Sequence, residues 1–252
     1  MSELVHFRHA VRMLTIVPLP SEKSFEPDWL PRAAKYFPLV GLLIGAFLGA
    51  VLLAANHVWS GLVPSLLAVT AGVLLTGAFH EDGLADSADS LGGQTPERRL
   101  AIMQDSRIGS YGTLALIASV GLRVAALAVI PSWLAAAALV AAHAGGRCAG
   151  VLLINAVPYV ADRVGKIVQS DDPLRRHEVL LACVFAVTGF APLLVTAWPA
   201  GVTAALAGIV VTAMAVRLAI RLLGGYTGDV AGAIEQLFEI AVLLAVAAWW
   251  GR

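Results

Sequence analysis

Apolar residues in this chain gather into runs of about twenty, long enough to cross a bilayer as helices, and polar residues are confined to the stretches between them. Seven such runs stand at 34–56, 62–79, 113–130, 133–156, 179–197, 201–222 and 232–250. They are continuous rather than alternating, and a backbone facing lipid must satisfy its own hydrogen bonds, so the pattern predicts helices and not barrel strands. Ahead of them, residues 4–17 place Leu4, Phe7, Val11 and Leu14 on one side of a helix and His6, Arg8, His9 and Arg12 around the rest. Such an amphipathic segment suits the membrane interface. A connector bearing prolines and charges follows over 18–31. The expected fold is all-α: a polytopic membrane helix bundle of about seven transmembrane helices plus the interfacial helix. It is expected to form one integral-membrane catalytic domain over 1–252, with 1–31 as its interfacial or cytoplasmic segment. No cleavable signal is expected, because the apolar stretch at 11–19 is interrupted by Arg12 and bounded by Pro18 and Pro20 without a small-residue cleavage pattern.

The polar connections are of two kinds. Those near His57, Pro131 and Pro199 are short and hold no lysine or arginine, whereas the others hold Arg98, Arg99, Arg107, Arg163, Lys166, Arg175 and Arg176. Basic loops stay in the cytoplasm. With Arg8, Arg12, Lys23, Arg32 and Lys35 near the amino terminus, the parity works for every span and predicts the amino terminus inside and the carboxyl terminus outside. One cytoplasmic face then carries the acidic stretch around Asp82, the loop 159–178 and the glycine-rich turn 224–229.

Composition agrees: 59% of residues are hydrophobic and 13% charged, against about a quarter charged in soluble domains. Zero net charge argues against a nucleic-acid footprint. Cys148 and Cys183 sit in apolar runs without metal-binding or disulfide spacing.

The chemistry is concentrated where the second run ends. His80, Glu81, Asp82, Asp86 and Asp89 lie within ten residues of one another. On a helix, Asp82, Asp86 and Asp89 stand at i, i+4 and i+7 on one face, which repels itself unless a cation binds; all-oxygen ligands point to magnesium. His80 adjoins the carboxylates and is placed to take a proton. A second polar cluster, Asp105 to Gly112, carries Arg107 and two glycines ahead of the third run. It reads either as a phosphate cradle or as a turn leading into a helix with an Asp105–Arg107 ion pair. Arg123 and Arg147 fall inside predicted spans and need anions, either Glu235 and Glu239 one helical turn apart in the last run or a ligand's phosphates. Arg217 and Arg221 lie near a span end and can snorkel. Gly225, Thr227 and Asp229 bring another glycine turn and carboxylate to the same face. His6, His9, His57, His143 and His177 are scattered and read as structural or interfacial. Two acidic clusters with arginines and glycine turns suggest phosphoryl or nucleotidyl transfer. With no Walker or Rossmann motif present, the energy would come from an already activated diphosphate.

The run Gly77, Ala78, Phe79, His80, Glu81, Asp82, Gly83, Leu84, Ala85, Asp86, Ser87, Ala88, Asp89 closely resembles the signature of the cobalamin synthase family, the adenosylcobinamide-GDP ribazoletransferases. The resemblance extends through Phe37 to Gly41, Asp105 to Gly112, Arg147, and Gly224 to Asp229 with Ala233, Ile234 and Glu235, in order. It implies the last step of nucleotide-loop assembly in vitamin B12 biosynthesis. Adenosylcobinamide-GDP is joined to alpha-ribazole or its 5′-phosphate, giving adenosylcobalamin or its phosphate and releasing GMP, with Mg2+ as cofactor. On this reading Asp82, Asp86 and Asp89, with Glu81 beside them, hold the metal on the diphosphate. Arg107 and Arg147 neutralise it, and His80 or a carboxylate takes the proton of the ribose hydroxyl. Asp105, Arg123, Gly225, Thr227, Asp229 and Glu235 complete the expected substrate-binding set. The enzyme is expected in the bacterial inner membrane with its active face in the cytoplasm, as a homo-oligomer or in association with other nucleotide-loop enzymes.

Two readings compete. A CDP-alcohol-type phosphotransferase also uses spaced aspartates and magnesium, but the Ala-Arg pair and second aspartate block are missing. A corrinoid or ion transporter is motivated by Arg123 and Arg147, and the lack of an internal repeat weighs against it. A purely structural subunit does not explain why charge gathers on one face.

Overall fold

The computed structural model describes residues 2–20, 29–160 and 174–250. The expected basic residues Lys23, Arg163 and Lys166 lie outside them, with most of the connector and of the loop 159–178. The described residues form α1 (Glu3–Leu14), α2 (Trp29–Ala34), α3 (Phe37–Asn56), α4 (Val63–Thr76), α5 (Phe79–Ser90), α6 (Pro96–Met103), α7 (Ser110–Val129), α8 (Ser132–Ala156), α9 (Arg176–Thr196), α10 (Trp198–Leu223) and α11 (Gly228–Ala247). Among them six helices are long and apolar enough to cross a membrane, or seven if α4 and α5 count as one bent span. The chain is a polytopic membrane bundle, as the hydropathy pattern predicts.

Helix ends follow local chemistry. Pro38 and Pro64 sit in first turns, where a missing N–H costs nothing, and Thr227 caps α11 by accepting from the Val230 N–H at 3.2 Å. Gly224, at φ +80°, ends α10 in the left-handed conformation.

The central element is α8, which packs against α3, α9 and α11 and is the most buried of the long helices. Its Ala- and Gly-rich sequence permits this, since small residues let helix backbones approach in lipid. On the facing helix, a Cβ at Gly41 would strike the His143 carbonyl.

The second apolar run departs from expectation. It predicts a continuous span over 62–79, but α4 stops at Thr76 after 14 residues, about 21 Å of helix where a bilayer core needs about 30 Å. Gly77 and Ala78 are both left-handed, at φ +63° and +57°, and the chain turns by 91° into α5. Ala78 is the one non-glycine residue at positive φ among those described, a strained joint of the kind found beside functional sites. What drives the turn is polarity: the residues after Phe79 are charged and find partners sideways in the bundle. The C-terminal carbonyl of Leu75 is taken by the Ile16 N–H from the segment after α1, at 2.9 Å.

The first helix also lies differently on its neighbours. Its inner side buries His6, His9, Ala10 and Leu14, while Leu4 is exposed. Packing supplies the polar partners that make this possible. His9 meets the Trp29 ring edge-on at 5.6 Å, and Lys35 Nζ reaches Glu3 Oε2 at 2.8 Å beside Tyr36 Oη at 2.8 Å. Hydrogen bonds from Lys35 and Tyr36 hold the Glu3 carboxyl down to about 2. Lys35 and Arg32 also pair with Glu178 at the start of α9.

Candidate functional site

The described parts of the polar segments converge at one end of the bundle. Asp229 backbone lies against Gly83 of α5, and Tyr226 and Val160 exchange backbone bonds with their opposite segments at 3.0 Å. Thr227 Oγ1 lies 3.7 Å from the sulfur of Met103, which brings α6 to the same place.

At the middle of this end lies α5, and its two sides do different things. With 100° per residue, Asp82, Asp86 and Asp89 fall within about 60° of one another on the outward side, as the spacing predicts. Asp82 is exposed and Asp86 and Asp89 half-buried. The Asp89 carboxylate is taken up by the start of α7, accepting from the Gly109 N–H at 2.7 Å and the Gly112 N–H at 2.9 Å. A Cβ at Gly109 would strike the same carboxylate. The glycine turn thus cradles an anion, but the anion is a side chain of the chain itself, not a phosphate. Arg107 pairs with Asp105 in bidentate fashion, Nη2 to Oδ2 at 2.6 Å and Nε to Oδ1 at 2.9 Å. Of the two readings of this cluster, the turn with an i, i+2 ion pair is the one the geometry takes. Arg107 lowers the Asp105 carboxyl to about 2, and its own side chain is 85% exposed.

The inward side of α5 carries His80 and Glu81 into the bundle, so Glu81 is not brought to the acidic stripe. Glu81 Oε1 pairs with Arg123 Nη2 at 3.1 Å, and Arg123 Nη1 lies 3.6 Å from Glu239 Oε2. Arg147, 1% exposed, bonds Glu239 through Nη1 at 2.5 Å and lies 3.7 Å from Glu235. His143 Nδ1 stands 2.7 Å from Glu239 Oε1, and His80 Nε2 stands 2.9 Å from Glu235 Oε2. Three carboxylates therefore face two guanidiniums and two imidazoles inside the bundle, and all of them but Glu235 line a small cavity of ≈ 20 Å³ enclosed by α3, α4, α5, α7, α8 and α11. The intramembrane arginines find their anions in the glutamates, as a charge in hydrocarbon must.

His143 reads as structural in the sequence, yet it joins this network. The signal is its i, i+4 spacing to Arg147 on α8, matched by Glu235 and Glu239 at i, i+4 on α11. Glu178, Arg32 and Tyr159 carried no signal, because their partners are distant in the chain. Gly225 and Thr227 act locally: Tyr226 N–H bonds the Pro158 carbonyl beside Gly225, and Thr227 is the cap of α11. Asp229 follows in the first turn, half-buried.

Among the described residues, no three carboxylate, imidazole or thiol groups stand together as a complete metal cage. Magnesium characteristically takes one or two carboxylates, with waters and substrate phosphates as its other ligands. Asp82 and Asp86, one helical turn apart with oxygen-only donors, fit that mode; Glu81, turned inward, and Asp89, bound by two N–H groups, fit it less well.

A family model described as cobalamin-5-phosphate synthase matches residues 6–247. The chain is 39% identical over 259 residues to the adenosylcobinamide-GDP ribazoletransferase of Leptothrix cholodnii, with 97% of each chain covered. It is 41% identical over 255 residues to that of Bradyrhizobium diazoefficiens, covering 98% of this chain and 94% of the relative. To that of Azorhizobium caulinodans it is 44% identical over 248 residues, covering 94% and 93%. No solved structure matches the chain.

Proposed function

We infer that this chain, which belongs to the cobalamin-5-phosphate synthase family, is a membrane transferase joining adenosylcobinamide-GDP to alpha-ribazole or its 5′-phosphate and releasing GMP. The observation that carries the site is the outward face of α5, where Asp82 and Asp86 stand one turn apart beside the α11 N-terminus. These two carboxylates would hold Mg2+, which when bound neutralises diphosphate charge and polarises the phosphorus under attack. Arg107, on an exposed turn near the same helix, exchanges Asp105 for the diphosphate. Asp229, at the first turn of α11, orients the incoming ribose. Asp89 acts by position: it fixes α7, and with it Arg107, against α5. In the reaction a ribose hydroxyl oxygen forms a bond to the phosphorus that carries the corrinoid. The bond from that phosphorus to the GMP oxygen breaks, and the hydroxyl proton passes to a carboxylate on the outward side of α5, since His80, the other expected acceptor, is turned into the bundle against Glu235.

Arg123 and Arg147 are too occupied by Glu81 and Glu239 to reach a diphosphate at the loop end. Their part is to hold α7, α8 and α11 in register under α5.

The test is purified protein in detergent with adenosylcobinamide-GDP, alpha-ribazole and magnesium, following cobalamin and GMP together. Equal amounts of both are expected, lost with EDTA. Asp82→Ala and Asp86→Ala should each lower turnover by about 10²-fold or more, the several kcal/mol that a metal contributes to a transition state. Near-normal turnover in both would remove the metal assignment.

A further inference from the structure

Arg217 and Arg221 stand one helical turn apart near the end of α10, and the transfer reaction uses neither. Both are exposed, and among the described residues neither side chain has a hydrogen-bonding or ionic partner. The sequence of α10 holds no acidic residue. Two like charges at i, i+4 repel each other, so the pair calls for an anion from outside the chain.

The depth of the pair in the membrane follows from the other end of the helix. Trp59, Trp133, Trp198 and Trp249 are all exposed at the end of the bundle opposite the candidate site, and tryptophans collect at headgroup level. Trp249 Nε1 donates to Thr203 Oγ1 at 3.0 Å, which ties the end of α11 to the start of α10 there. Trp198 opens α10, whose 26 residues make about 39 Å of helix against a hydrocarbon core of about 30 Å. Counted from Trp198, the core ends about 20 residues on, near Leu218. Arg217 and Arg221 therefore reach the headgroups of the leaflet on the side of the candidate site. What faces them is lipid, since α10 is the least buried of the six spanning helices. At 100° per residue, the exposed residues Leu206, Val210 and Met214 share with the two arginines an arc of about 80°. This face is an apolar track of about two turns that ends in two guanidiniums.

We propose that this face of α10 binds an anionic phospholipid, with its phosphate between Arg217 and Arg221 and an acyl chain along Met214, Val210 and Leu206. Charge decides the headgroup. A zwitterionic lipid brings an ammonium toward two guanidiniums that have no acid between them, whereas a headgroup of net negative charge neutralises them and accepts N–H bonds from both. The apolar track decides for a lipid over a soluble phosphate, because only the lipid covers both parts of the face. The inference concerns the lipid side of the bundle and does not depend on the transferase reading.

The test is native mass spectrometry of the full chain in detergent, titrated with phosphatidylglycerol or with phosphatidylcholine of the same acyl chains. The Kd for phosphatidylglycerol should be the lower by ~10-fold or more. Arg217→Gln and Arg221→Gln should each raise it about fivefold, and together remove the preference while the melting temperature stays unchanged. Arg176→Gln takes the same charge from an exposed, unpartnered position at the same end of the bundle, on α9, and should leave the preference intact. Inorganic phosphate should displace the lipid no better than chloride at equal ionic strength. Equal affinity for the two lipids, a preference kept in the double variant, or an equal loss in Arg176→Gln would overturn the proposal. Displacement by inorganic phosphate would do the same, since the pair would then take a free anion and not a lipid.

Discussion

Arg147 is the most consequential single residue inside the bundle. It is 1% exposed and bonded to Glu239, with Glu235, His143 and His80 around it. Removing one member of a buried ion pair leaves the other charge without compensation, which costs roughly 3–5 kcal/mol. Arg147→Met is therefore expected to lower stability by that order, read as a fall in melting temperature in detergent. The second change Glu239→Gln in that background should cost less than it does alone, because Glu239 has already lost its closest partner. Additive losses would show that the two side chains do not act as a pair. Lysine is no substitute here, since Arg147 reaches Glu239 and His143 through Nη1, His80 through Nη2 and Glu235 through Nε of one planar fork.

At the scale of elements, the junction of α5 with α7 is held by one carboxylate. Asp89 accepts two N–H groups from the start of α7, which satisfies donors that a helix N-terminus leaves open. Gly109→Ala would put a Cβ into that carboxylate and displace it. The expected cost is about 1–3 kcal/mol, that of leaving partly buried donors unpaired, together with reduced turnover as Arg107 loses its position. In an Asp89→Ala background the same substitution should add little. Thermal melting of the four proteins in the cycle decides this: an equal effect of Gly109→Ala in both backgrounds would mean that the carboxylate is not what the glycine accommodates. The junction also explains why both glycines occur where a phosphate cradle is expected. The sequence motif for binding an anion is the same whether the anion arrives with a substrate or from a neighbouring helix.

On the scale of the whole molecule, the described polar turns that carry candidate chemistry lie at one end, and Arg98, Arg99 and Arg107 belong to the connecting segments there. From that charge asymmetry we propose that this end faces the cytoplasm. In a background lacking Cys148 and Cys183, a cysteine at Ser60 should be labelled by a membrane-impermeant maleimide in intact cells, and a cysteine at Gln94 only after lysis. Both positions are exposed, so access depends on the side of the membrane. The opposite pattern would invert the topology and place the acidic face of α5 outside, away from nucleotide substrates.

The order of residues alone establishes the membrane class, because runs of about twenty apolar residues have few other uses, and most of the spans, because hydropathy is a local property. It also determined that Asp82, Asp86 and Asp89 share a helix face, since their spacing is the helical period, and its ordered motifs point to the family. What it left undecided depends on contacts between distant segments. Nothing near Glu81 in the chain reveals that it turns toward Arg123 while Asp82, its neighbour, faces outward; the 91° bend after Thr76 decides that. Nothing near His143 shows that Glu239 lies against it, or near Gly109 that Asp89 occupies its N–H. Only the tertiary structure sorts the charges of one short stretch into a buried ion network below α5 and an acidic face above it. The reason is physical: in a low-dielectric bundle each charge goes where a partner of opposite sign is already held.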